Sequence, residues 1–288
     1  MNVHLLTIDP QNDFCFAKNP VLAKVMKQNG ADPVLTKFVE DGGSLFVAGA
    51  DEDMKRLAAM INRVGSKIND IHVTLDSHRT VDIAHPIFHK NSSGKHPDIF
   101  TIITDQDYEN GTWQSTNPAF GSRTLEYARA LKNNGRYPLC IWPEHCIIGT
   151  IGHAVYPELA HALSEWERTR FAAVDYVTKG SNIFTEHYSA VQSDVPDPSD
   201  PTTMLNTRLI DILQSADLVA ITGEALSHCV KFTVEDIANN FGVNNIKKLI
   251  LLEDTCSAVT GFEQQANDFV KDMVKRGMGI SKSTEFLK

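Results

Sequence analysis

Apolar and polar residues alternate along the chain in two patterns. Short continuous apolar runs at residues 3–8, 71–75, 218–221 and 246–252 each stop at a polar residue or glycine, as strands buried on both faces do. Residues 170–177 are expected to add another strand, ending at Thr178-Lys179-Gly180. Between the runs, apolar residues recur at helical spacing. Residues 51–64 carry them at 54, 57, 58, 61 and 64 behind a capping carboxylate, and residues 230–238 at 230, 234, 237 and 238. Further helices are expected at 123–132, 207–213 and 262–274, the last stopped by Gly277, with weaker helical patterning at 21–26 and 34–39. Alternating strand–helix units imply a parallel sheet with right-handed crossovers.

Chemistry collects at the ends of the strands, where open parallel sheets bind ligands. Cys229 falls where the run 218–221 gives way to a helix, and a helix N-terminus favours thiolate over thiol. The competing reading is a small buried core residue. Asp9 closes the first strand. Asp76-Ser77-His78 closes the second, with His85 and His89 in the following loop and His145 in Trp142-Pro143-Glu144-His145-Cys146. A carboxylate with imidazoles suits zinc, manganese or iron(II), although eleven histidines in one chain also permit a chance cluster. Lys179 at a buried strand tip calls for a carboxylate partner, unless the side chain reaches outward to solvent.

Composition narrows the class. With 288 residues, 42% of them hydrophobic, the chain suits one large α/β domain over 1–288 with insertions at about 15–41, 90–138 and 190–205. A net charge of −9 without a basic patch argues against nucleic-acid and anionic-membrane partners. The sequence contains no apolar run of bilayer length and no leader pattern. Five scattered cysteines without a CxxC pair suggest a reducing, cytoplasmic setting.

Several segments together resemble the isochorismatase-like cysteine hydrolases, and within them the nicotinamidase/pyrazinamidase branch. They are Ile8-Asp9-Pro10-Gln11-Asn12-Asp13-Phe14, Gly42-Gly43-Ser44-Leu45, Asp76-Ser77-His78, Trp142-Pro143-Glu144-His145-Cys146, Lys179-Gly180, Tyr188-Ser189 and Ser227-His228-Cys229-Val230. The resemblance implies a three-layer α/β/α sandwich with a mostly parallel sheet of about six strands. It implies a catalytic triad of Asp9, Lys179 and Cys229, and an oxyanion hole from the Ala225 and Cys229 N–H groups beside a Glu224–Ala225 cis peptide. One divalent metal, zinc first and manganese or iron otherwise, would be held by Asp76, His78, His85 and His145, with His89 as the alternative to His85. Phe14 and Trp142 would sandwich the ring of nicotinamide or a related aromatic carboxamide. The expected enzyme is a cytoplasmic homo-oligomer of NAD salvage. Two residues depart from the family pattern: Ser227 replaces an aspartate, and Glu224 an apolar residue. These departures leave two other readings, a hydrolase of another amide, carbamoyl or ureido compound, and a catalytically silent binding protein.

Overall fold

The computed structural model describes residues 1–288. Six parallel strands form its central sheet: β1 (Val3–Ile8), β2 (Asp70–Asp76), β3 (Asp175–Lys179), β4 (Leu218–Gly223), β5 (Leu249–Leu252) and β6 (Gly279–Ser281). Their order across the sheet is β6-β5-β4-β1-β2-β3. Every residue of β1 is buried, which is why its sequence reads as an unbroken apolar run apart from His4 and Thr7.

The main helices are α1 (Pro20–Gln28), α2 (Pro33–Asp41), α3 (Ala50–Val64), α4 (Gly121–Asn133), α5 (Pro157–Arg170), α6 (Thr207–Ser215), α7 (Cys229–Phe241) and α8 (Glu263–Arg276). Crossovers from β1 through β3 run one way across the sheet, and those from β4 through β6 run the other. With a common right hand, this puts α3 and α5 on one face and α7 and α8 on the opposite one. The switch in direction falls between β1 and β4, so a crevice opens beyond their carboxyl ends.

Three expectations are corrected. The strand expected from residue 170 begins at Asp175, because α5 runs to Arg170 and stops at a left-handed, fully exposed Phe171. Helix α5 escaped notice in the sequence, although Leu159, Ala162, Leu163 and Trp166 are its buried residues and Pro157 starts it. Residues 243–248 form 3₁₀ turns, so only Leu249–Leu252 pair as a strand. The third, smaller change is at the sheet edge, where β6 adds a strand after α8 that the apolar pattern did not announce.

Two glycines let the strand tips close on one another. A Cβ on Gly223 (φ +117°) would lie 2.0 Å from the Ile8 carbonyl oxygen, and one on Gly180 (φ +83°) would lie 2.7 Å from Asp76 Oδ1. Both positions need positive φ and a close backbone approach, which only glycine combines without strain. The expected 15–41 region is helical through α1 and α2, each with proline in its first turn and an Asn19 or Asp32 cap. Residues 90–138 hold the short helix Asp105–Glu109, α4, and two-stranded pairings of His89–Lys90 with Gln114–Ser115 and of Ile102–Ile103 with Leu139–Cys140.

Candidate active site

Asp9, Lys179 and Cys229 come from three strand ends and converge beyond β1. Lys179 Nζ lies 2.8 Å from Asp9 Oδ2 and 3.1 Å from Asp76 Oδ1, and it reaches Cys229 Sγ at 3.6 Å. A carboxylate oxygen of Asp9 lies within 4.8 Å of the sulfur. The Thr74 hydroxyl donates to Asp9 Oδ1 at 2.5 Å and accepts from the Asp9 N–H at 3.0 Å, which fixes the carboxylate. All three site residues are buried. Lys179 therefore has the carboxylate partners that its position in the sequence demanded.

Burial sets the protonation states. It pushes the Asp9 carboxyl above its ordinary range despite the adjacent lysine. Burial opposes the Lys179 ammonium, but Asp76 and Asp9 outweigh it and hold the lysine charged. Burial also pushes the Cys229 thiol well up, with Lys179 acting in the other direction. The thiolate expected from a helix N-terminus alone is thus corrected: Cys229 opens α7, but in so enclosed a site it stays a thiol until a base takes its proton. Asp9 is the base within reach.

The turn into α7 leaves three N–H groups free, two of them those that the resemblance assigned to an oxyanion hole. The Ala225, Ser227 and Cys229 N–H groups have no acceptor within the chain, while those of Glu224, Leu226 and His228 are bonded. The Glu224–Ala225 peptide is cis, as the resemblance implied.

Beside this triad lies a second cluster. Asp76, His78 and His145 present ligand atoms within 4.8 Å of one another. His78 Nδ1 faces Asp82 Oδ2 at 3.1 Å, and His145 Nδ1 donates to the Pro143 carbonyl at 2.8 Å, so each ring turns its Nε2 towards Asp76 Oδ2, at 3.2 and 3.6 Å. The His85 ring borders both, with centroids 5.3 and 5.6 Å away; its Nδ1 donates to the Arg79 carbonyl and its Nε2 has no partner. His89 lies apart from the cluster. Its Nε2 donates to the Ile83 carbonyl at 2.6 Å and its Nδ1 accepts from the Tyr108 hydroxyl at 3.2 Å, leaving no nitrogen for a ligand.

One acid was missed by sequence reasoning. Glu186, buried in the loop after β3, brings Oε1 to 3.9 Å from His78 Nε2, and its Oε2 has no partner. Nothing in the local pattern flagged it, because residues 180–200 carry no periodic signal. Gln11 also went unassigned. Its amide pairs with both the N–H and the C=O of Asp76 at 2.7 Å, locking the tip of β2 to the segment after β1.

A cavity of about 20 Å³ connects the two clusters. Phe14, Leu45, Trp142, Tyr188, His228 and Val259 line it, together with Asp76, His145, Glu186, Ala225 and Cys229. Phe14 and Trp142, the expected ring walls, thus face the same space as the sulfur. A wider groove of about 850 Å³ between α1, α3 and α5 contains no cysteine and none of these residues. Cys229, Asp76, His145 and Glu186 line the smaller cavity, and none of them lines the groove.

His89 also supplies a pH prediction. Burial lowers its pKa from 6.5 to about 4. Over that interval the unfolded chain binds a proton that the native chain refuses, so the stability His89 contributes is intact above pH 6.5 and is lost as the pH falls towards 4. The effect is on the order of 2–3 kcal/mol. His89→Gln keeps a donor for Ile83 and should flatten the slope. Urea unfolding at pH 7 and 4.5 checks this; equal slopes for both proteins would reject it.

Comparison with known proteins follows the same direction. No family model matches the chain. A nicotinamidase of Acinetobacter baylyi is 27% identical over 244 residues, covering 84% of this chain and 83% of that protein. Among solved structures, the nicotinamidase/pyrazinamidase of Acinetobacter baumanii aligns with a TM-score of 0.59 at 23% identity, covering 99% of this chain and 98% of that one. The yeast nicotinamidase aligns at 0.57 and 18%, covering 96% and 98%. The Pyrococcus horikoshii pyrazinamidase, in complex with zinc, aligns at 0.52 and 17%, covering 98% and 99%. The fold is the one these structures share, an α/β sandwich, and the sequence relative agrees with the resemblance read from the motifs.

Proposed function

We infer that this chain is a nicotinamidase-type cysteine hydrolase, cleaving the amide of nicotinamide or a related aromatic carboxamide to the acid and ammonia. One observation carries the reading: a buried thiol, a raised carboxyl and a charged lysine meet at a turn whose Ala225 and Cys229 N–H groups are unbonded. Asp9 takes the Cys229 proton, and the sulfur attacks the carboxamide carbon while Lys179 holds the negative charge in the site. The carbonyl oxygen becomes an oxyanion that accepts from the Ala225 and Cys229 N–H groups. Asp9 returns its proton to the nitrogen, the C–N bond breaks and ammonia leaves a thioester. Water, deprotonated by Asp9, then attacks the thioester carbon, and the acid departs as the thiol regains its proton.

The second cluster fits a divalent metal. His85 Nε2 and Glu186 Oε2 are buried without partners, His78 Nε2 faces only the carboxylates of Asp76 and Glu186, and oxygen with imidazole donors suits zinc, manganese or iron. Asp76, His78 and His145 would hold the ion, with His85 and Glu186 beside them. When bound, it supplies a Lewis-acid anchor for the ring nitrogen of the substrate. Phe14 and Trp142 flank the ring. A cavity of about 20 Å³ holds no pyridine ring, so substrate entry requires wall side chains to move.

No helix is long and apolar enough to cross a membrane. A cytoplasmic, homo-oligomeric enzyme of NAD salvage completes the proposal. The exposed Val21, Leu22 and Val25 of α1 and Val34 and Leu35 of α2 support self-association.

The test is ammonia release by zinc-loaded protein from nicotinamide, set against benzamide, a carbamoyl compound and a ureide. Turnover confined to the last two would replace the nicotinamidase reading. Asp76→Ala should lower bound metal at least about tenfold by elemental analysis, together with activity. Unchanged metal content would reject the assigned ligands.

A further inference from the structure

Glu224 and Ser227, the two departures within the nucleophile turn, both bond to the segment that follows β5. The Ser257 N–H donates to Glu224 Oε2 at 3.1 Å, and the Ser257 carbonyl accepts from the Leu226 N–H at 2.7 Å. The Val259 N–H donates to Ser227 Oγ at 3.1 Å. Ala225 stands between the two residues that Ser257 grips, so the backbone of residue 257 clamps the turn on both sides of the Ala225 N–H.

The Glu224 side chain points away from the reaction space. It is fully buried, against Asp53 of α3. Asp53 itself accepts from the Ser257 hydroxyl at 2.5 Å and from Arg56 at 2.5 Å, and Arg56 Nε donates to the Asp254 carbonyl at 2.5 Å. Burial and the charge of Asp53 hold the Glu224 carboxyl well above its usual range. A protonated Glu224 satisfies every group present. Protonated, it can donate to the adjacent Asp53 while it accepts from the Ser257 N–H at Oε2; Oε1 is otherwise unpartnered. An apolar side chain here would fill the space but leave the Ser257 N–H buried without an acceptor.

We propose that Glu224, acting through Ser257 and Asp53, is a positioning residue that aims the Ala225 N–H at the oxyanion. The proposal rests on the amide-hydrolase reading, since it requires negative charge to develop at that turn. It accounts for a buried acid at a position that needs no charge for packing, and it ties the oxyanion donor to α3 and to the end of β5.

Glu224→Gln keeps both bonds, because a carboxamide accepts from Ser257 and donates to Asp53; Glu224→Leu removes both. Two probes separate positioning from nucleophile chemistry. Nicotinaldehyde adds to Cys229: the S–C bond forms, the C=O π bond breaks onto oxygen, and the thiol proton passes to Asp9. Its affinity reads the oxyanion donors. The rate of iodoacetamide alkylation reads the thiol.

Glu224→Leu should lower kcat about 10–100-fold with KM within about threefold, and weaken nicotinaldehyde by a similar factor. Alkylation of Cys229 should stay within about twofold, and Glu224→Gln should restore all three. Wild-type aldehyde affinity in Glu224→Leu overturns the proposal, as does an equal fall in alkylation, which would place the effect on the nucleophile. Should the leucine variant misfold, Ser257→Ala cuts only the hydroxyl link to Asp53, and unchanged aldehyde affinity there also overturns it. Wild-type protein that binds the aldehyde but releases no ammonia from nicotinamide would sink the amidase reading and leave the Glu224 measurement standing.

Discussion

Cys229→Ala is expected to lower kcat/KM for nicotinamide by about 10⁴-fold or more and to leave the thermal unfolding midpoint nearly unchanged. No other thiol can replace it, since Cys15, Cys140, Cys146 and Cys256 are buried and line no part of the cavity. The remaining N–H donors and ring walls still bind substrate, so KM should move little while kcat collapses. The fold tolerates alanine because residue 229 is the first of α7, where a small side chain suits both the turn and the helix. Ammonia release and a melting curve on the same preparation check both halves. Activity within tenfold of wild type would remove Cys229 from the role of nucleophile.

Asp9→Asn should cost about 10³-fold in kcat, within the range of a lost general acid–base group. In the proposed mechanism three steps depend on this one carboxylate: taking the thiol proton, delivering it to the departing nitrogen and deprotonating the attacking water. The thiol of Cys229 is pushed up by burial, so without Asp9 it remains protonated at neutral pH. Iodoacetamide labelling of Cys229 should therefore slow alongside turnover, in contrast to the effect at Glu224. Lys179 keeps Asp76 as a partner at 3.1 Å, so the ammonium is not stranded and the variant should fold. Unchanged alkylation with lost turnover would show that Asp9 serves only the leaving group.

The sequence was most informative where local pattern and chemistry coincide. Cys229 was legible because a buried run, a glycine and a helical repeat follow one another within a dozen residues, and Asp9 because an apolar run ends on it. Strand β3 was misplaced since Phe171, Ala172 and Ala173 continue an apolar stretch that in space caps α5 and turns outward. His85 and His89 stand four apart in one loop, and spacing did not separate them. What separates them is the Ile83 carbonyl and the Tyr108 hydroxyl, which claim both nitrogens of His89. Glu186 and the Asp53 partner of Glu224 were invisible for a different reason. Each acquires its meaning from a contact made across the fold, with His78 and Glu224 respectively, and neither lies in a segment whose own pattern singles it out.

The position of β1 bears on how the protein is made. Strand β1 precedes β4 by about two hundred residues, yet the two lie side by side in mid-sheet, with Leu218 paired to Val3. Residues 9–217 must be synthesised before that second edge is covered. Until then an apolar ribbon stands open to other nascent chains, and Asp9 and Cys229 have not yet been brought together.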